Sequence, residues 1–108
     1  MRATGRWSRI MYIGILQLEL KIGDALNCRE KRKIVHSLRD KWHHHHNVSV
    51  AEAAESLDHP QQALMAVALL GNDAKHLEST LSKLVEQVKH ERRAELLDFR
   101  IEIVAGRD

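Results

Sequence analysis

The 108-residue sequence predicts an α+β fold, a four-stranded antiparallel sheet with two helices on one face. Three observations carry the prediction. Apolar residues recur with strand spacing in four segments and with helical spacing in two. The segments follow one another as β-α-β-β-α-β. Two of the strand segments are apolar on both sides, as the central strands of such a sheet are.

Residues 11–22 read as the first strand. Ile13 and Ile15 point one way and Tyr12, Leu16, Leu18 and Leu20 the other, with Gly14 between them. Gly23 and Asp24 break the strand. Asn27 is placed to cap a helix, with Glu30 three residues on in the position of a capping box. From Cys28 the pattern turns helical. Ile34, Val35, Leu38 and Trp42 form one apolar stripe, and Asn47 ends the helix. Val48 to Ala51 start a second strand that fades through Glu52 to Glu55, and Ser56 to Pro60 form a turn. Ala63 to Leu70 is a nearly continuous apolar run, suited to a central strand. Asp73 caps a second helix with the clearest periodicity of the chain, Leu77, Leu81, Leu84, Val85 and Val88. A last strand alternates from Leu97, with Phe99, Ile101 and Ile103 beside it on one face and Asp98, Arg100 and Glu102 on the other. This is the ferredoxin-like, split-βαβ arrangement, spanning 11–104 as a single domain. Residues 1–10 read as a basic leader outside it, either an over-extended start with translation beginning at Met11 or a tail, and 105–108 as a C-terminal tail.

Apolar residues make up 44% and charged residues 30%, a globular composition with enough material for one core. One cysteine, Cys28, excludes an internal disulfide, which fits a reducing, cytoplasmic setting. No apolar run approaches the ~20 residues of a membrane-spanning helix, so no membrane partner is expected. The overall charge of +2 is uninformative, but its distribution is not. Residues 28–46 carry +4 and residues 1–10 carry +3, leaving −5 for the remainder. Five of the eight histidines, His36 and His43 to His46, lie in the same basic stretch.

On a helical projection Arg29, Arg32, Lys33, His36, Arg39 and His43 oppose the apolar stripe. Such a face suits a phosphate backbone, because each cation neutralises a phosphate and releases counterions. It equally suits an ordinary solvated helix face. Lys31 stands apart, near the middle of the apolar stripe. Its stem either snorkels across the core edge or carries the ammonium to a ligand near the helix start. The loop Gly23 to Asn27 leads into a helix N-terminus, a weak anion signature without a phosphate-loop motif.

No metal site is expected. Consecutive residues of His43 to His46 project ~100° apart, so only His43 and His46 share a face, with no acidic or thiolate ligand beside them. No catalytic residue and no cofactor are expected either: paired carboxylates, a triad order and a nucleophile motif are all missing. A base-stacking sheet needs aromatics on both central strands, and only Tyr12 is available.

The segments Met11-Tyr12-Ile13-Gly14-Ile15-Leu16, Asn27-Cys28-Arg29-Glu30-Lys31-Arg32, Asn47-Val48-Ser49-Val50-Ala51-Glu52 and Leu96-Leu97-Asp98-Phe99-Arg100-Ile101-Glu102 resemble the bacterial YlxP-like family, domain of unknown function number 503. The resemblance runs from Met11 to about Val104. It departs at Asn27-Cys28-Arg29, where the family has Ser-Leu-Lys, and in the histidine run, which replaces a shorter polar segment. The resemblance implies a ferredoxin-like α/β protein, often encoded beside ribosome-binding factor A and translation initiation factor genes, with no catalytic residue to carry over.

Two functional expectations follow. In the first, the chain is a non-enzymatic binding module that sets Arg29, Lys31, Arg32, Lys33, His36 and Arg39 against ribosomal RNA or the small ribosomal subunit. In the second, it is a protein-interaction module. Ile13 and Ile15 on the helix-free side of the first strand, or an exposed edge strand, would then dock a second copy in a homodimer or another protein.

Overall fold

The computed structural model describes residues 11–23 and 27–106; the leader, residues 24–26 of the first loop and the last two residues lie outside the described set. The chain runs β1 (Tyr12–Lys21), α1 (Cys28–His45), β2 (Ser49–Glu52), a 3-10 turn (Ala54–Ser56), β3 (Gln62–Gly71), α2 (Ala74–Lys89) and β4 (Glu95–Ala105). The strands form one sheet in the order β2-β3-β1-β4, every neighbouring pair antiparallel. Both helices cover one side, so the fold is the ferredoxin-like arrangement.

Local chemistry starts both helices where the sequence indicates, while the first ends at His45 with His46 as its cap, ahead of Asn47. The Asn27 side-chain oxygen accepts the Glu30 backbone N–H at 3.0 Å. The Asp73 carboxylate accepts those of Lys75 and His76 at 3.1 and 3.2 Å. Each cap satisfies donors that the first helical turn leaves unpaired. The core lies between the helices and one sheet face. Leu16, Leu18 and Leu20 of β1 and Ala63, Met65 and Val67 of β3 meet Val35, Leu38 and Trp42 of α1 and Leu81, Leu84, Val85 and Val88 of α2. A Cβ built on Gly14 would come within 3.0 Å of a Leu81 methyl and 3.2 Å of a Leu69 methyl. The bare backbone there lets α2 sit down on β1.

The alternation read for the last strand is corrected at one residue. Between Glu19 and Leu20 the β1–β4 register shifts, so that Glu19 faces Asp98 while Leu20 faces Leu96. Leu97 is the extra residue of this bulge and is exposed, and Leu96 takes the place against the core. Beyond the bulge Phe99, Ile101 and Ile103 lie on the helix side as the alternation requires. Phe99 sits at the open edge with the Lys89 ammonium 5.9 Å above its ring.

Candidate functional site

The six basic residues of α1 expected to face nucleic acid separate into three groups. Arg29, Arg32, Lys33 and His36, at i, i+3, i+4 and i+7, are exposed and share one face of the helix. None of the four forms an ion pair with any described residue. Arg39 is half-buried and stands 3.8 Å from the Asp40 carboxylate, so its charge is partly offset.

Lys31 leaves the nucleic-acid set altogether. Its side chain is 0% exposed. The ammonium donates to Glu52 Oε2 at 2.7 Å, to the Gln62 carbonyl at 3.0 Å and to the Ser56 carbonyl. The Ser56 hydroxyl donates to the same Glu52 oxygen at 2.7 Å and accepts the Leu64 backbone N–H at 2.9 Å. A lysine in an apolar stripe needs a buried acid and extra acceptors to hold its charge away from water. β2 and the turn after it supply both. The lysine thereby ties α1 to the β2–β3 connection and has no donor direction left for a ligand.

The far end of α1 adds histidines. His43, His44 and His45 are exposed, and His46 ends the helix near Lys83 and His76 of α2. Partial burial, and then the neighbouring His45, Lys83 and His76, push the His46 imidazole below its ordinary 6.5. Among the described residues, no three histidine, cysteine or acidic side chains are placed to hold a metal ion. At the opposite edge of α1, Glu91 is held to about 2, first by the Arg93 guanidinium bonded to it and further by Lys41. Arg93 reaches Glu91 at 2.9 Å and Ser37 at 3.1 Å, so that cation is engaged. Cys28 is a half-buried free thiol on the first turn of α1. The weak anion signature of the first loop falls largely on residues outside the described set.

The helix-free sheet face is the second candidate surface. Ile13 is 41% exposed and Ile15 half-buried, both on this side as their parity requires. Reading the sequence missed their neighbours. Ile13 pairs with Leu70 of β3 and Val104 of β4, which are 66% and 38% exposed. The three form an apolar row across three strands. Toward the other end of the face a shallow hollow of about 410 Å³ opens over Ala51 and Ala66, rimmed by Gln17, Glu19, Asp98 and Arg100.

Fold and surfaces together define a small ferredoxin-like α+β domain with a cationic helix face and an uncovered sheet face. No helix among the described residues is long and apolar enough to cross a membrane. The chain belongs to the family described as "Protein of unknown function (DUF503)", whose sequence profile matches residues 13–101. No curated protein matches it in sequence. Among solved structures it is similar to a candidate antibiotic biosynthesis monooxygenase from Bacillus cereus, with 9% identity over 92% of this chain and 95% of that one, at a TM-score of 0.45. It is also similar to an amidase of the hydantoinase/carbamoylase family from Burkholderia phymatum, with 14% identity over 89% of this chain and 28% of that one, at 0.43. Likenesses this distant carry no argument about activity.

Proposed function

We propose that the protein is a non-enzymatic, cytoplasmic RNA-binding module that docks on phosphates through the outer face of α1, with the small ribosomal subunit as the particle it meets. One observation carries the reading: Arg29, Arg32, Lys33 and His36 line one helix face, exposed and unpaired with any described residue. Arg29 lies in the first turn of α1, where its charge opposes the helix dipole. A bound phosphate relieves that opposition and gains from both the dipole and the side chains. Arg39 contributes at the margin, and Lys31 contributes only by holding the helix in place.

Co-sedimentation with small ribosomal subunits at low and near-physiological salt tests the reading, with an Arg32→Glu/Lys33→Glu variant beside the native protein. Pelleting that persists at near-physiological salt and is lost in the variant supports it. Absence of pelleting at both salts refutes it.

A second reading, docking of a protein on the open sheet face, is favoured by a separate observation, the exposed apolar row of Leu70, Ile13 and Val104.

A further inference from the structure

We infer that the occupant of the open sheet face is a basic protein segment, extended, with an aliphatic anchor at one end and arginines or lysines along the rest; the inference rests on the docking reading just given. Two independent features of the face meet in it. The exposed apolar row of Leu70, Ile13 and Val104 crosses β3, β1 and β4 at one end. Over the remainder the register sets Glu19 on β1 and Glu95, Asp98 and Glu102 on β4, against the cations Lys21 and Arg100. Four acidic side chains against two basic ones leave the face with a net charge of −2. None of the four carboxylates forms an ion pair with any described residue. Asp98 accepts the Phe99 backbone N–H at 2.8 Å and Glu19 the Gln62 side-chain amide at 3.3 Å, neutral donors that leave both charges standing.

Charge selects the occupant. A phosphate backbone, an anionic lipid surface and the same face of a second copy all bring negative charge and are repelled. A basic segment is attracted, and its aliphatic anchor covers the apolar row. Ile13 and Glu19 lie six residues apart on β1, or ~20 Å at ~3.3 Å per residue, so about seven extended residues join the anchor to the far carboxylates. At that far end Ala51 and Ala66 line the hollow of about 410 Å³, and Glu19, Glu55 and Asp98 stand around it beside one cation, Arg100. The small alanines leave room for one long side chain, and an arginine fork meets a carboxylate through two parallel N–H donors. The cationic outer face of α1 lies on the other side of the sheet. One molecule therefore joins an RNA backbone on its helix side to a basic protein on its sheet side.

Fluorescence polarisation on the full chain tests the inference with three labelled peptides of about ten residues, each opening with two leucines. One continues with alternating arginine and serine; the others carry glutamate or glutamine in place of arginine. The protein is used native, as Glu19→Gln/Asp98→Asn and as Leu70→Ser. The first variant removes two charges yet keeps a carbonyl acceptor for the Gln62 amide and the Phe99 N–H. Circular dichroism confirms that the variants fold, and if one unfolds the other carries the test. The expected result is arginine-peptide binding about ten-fold or more tighter than that of the glutamate peptide, and weakened about five-fold or more in each variant. Arginine-peptide binding that neither variant weakens overturns the inference by placing the contact elsewhere. A glutamine peptide bound as tightly as the arginine one, and weakened by Leu70→Ser, overturns the basic partner while leaving the docking reading standing. No binding of any of the three overturns both. Sedimentation velocity of the protein alone covers the remaining occupant: self-association that both Arg32→Glu/Lys33→Glu and Glu19→Gln/Asp98→Asn dissolve overturns the inference, because α1 of a second copy then fills the face.

Discussion

Replacing Lys31 with methionine keeps most of the side-chain volume and deletes only the ammonium. Glu52, whose side chain is 8% exposed, then keeps its charge with the Ser56 hydroxyl as its remaining donor in the network. The carbonyls of Ser56 and Gln62 lose the same partner. Breaking a buried pair from one side costs about 3–5 kcal/mol, because an uncompensated charge stays behind. The whole stability of a domain this size is about 5–15 kcal/mol, so Lys31→Met is expected to remove a large share of it. Urea denaturation followed by circular dichroism measures the loss. Converting both partners, Lys31→Met with Glu52→Leu, removes the stranded charge and is expected to restore about 2 kcal/mol relative to the single variant. A Lys31→Met protein within about 1 kcal/mol of native would refute the reasoning, because an ammonium so dispensable is not bound by the network described. RNA affinity per folded molecule should stay native in Lys31→Met, since the ammonium does not reach the outer face of α1.

The Arg32→Glu/Lys33→Glu variant should show the opposite split, unfolding within about 1 kcal/mol of native but losing RNA binding, as urea titration and filter binding would show. Glu91, held to about 2 against an ordinary 4.5, adds stability that is complete above pH 4.5 and fades as pH falls toward 2. With Arg93 half exposed and screened by solvent, Glu91→Gln should cost about 1–2 kcal/mol at pH 7. Urea titrations at pH 7 and pH 3 should show the gap narrowing at the lower value. His46 carries the reverse linkage: its folded pKa lies below 6.5, so the unfolded chain binds the proton more readily and stability falls as pH drops below 6.5. His46→Gln should flatten that fall in thermal melts between pH 7 and 5.5. Gly14→Val would drive a branched side chain into Leu81 and Leu69 and should cost about 1–3 kcal/mol, measurable by the same melts.

Local pattern made most of the fold legible. Asn27 and Asp73 announce the helix starts because a cap acts within three residues of its own position. The Leu77 to Val88 stripe announces a buried helix face because every member lies on one element. What stayed hidden depends on partners distant in the chain. Leu97 belongs to a run of perfect alternation, and only the register against β1 reveals the bulge that turns it outward. Lys31 stands out in its stripe, yet its acid partner lies 21 residues on and its carbonyl acceptors 25 and 31 residues on. No spacing rule reaches that far. Ile13 was legible as a face residue, while Leu70 and Val104 become its neighbours only when the sheet assembles. Arg29, Arg32, Lys33 and His36 were legible from helical spacing alone, and the structure adds that no described acid pairs with them.

The central claim is that exposed cations on one face of α1 bind RNA phosphates, and its most direct test is the salt dependence of binding to a labelled structured RNA. Fluorescence polarisation should give a log–log slope of about −2 to −3, as expected for the three contacts of Arg29, Arg32 and Lys33 at ~0.7–0.9 per neutralised phosphate. Arg32→Glu/Lys33→Glu should abolish binding. Binding that ignores salt, or that the variant retains unchanged, would contradict the account.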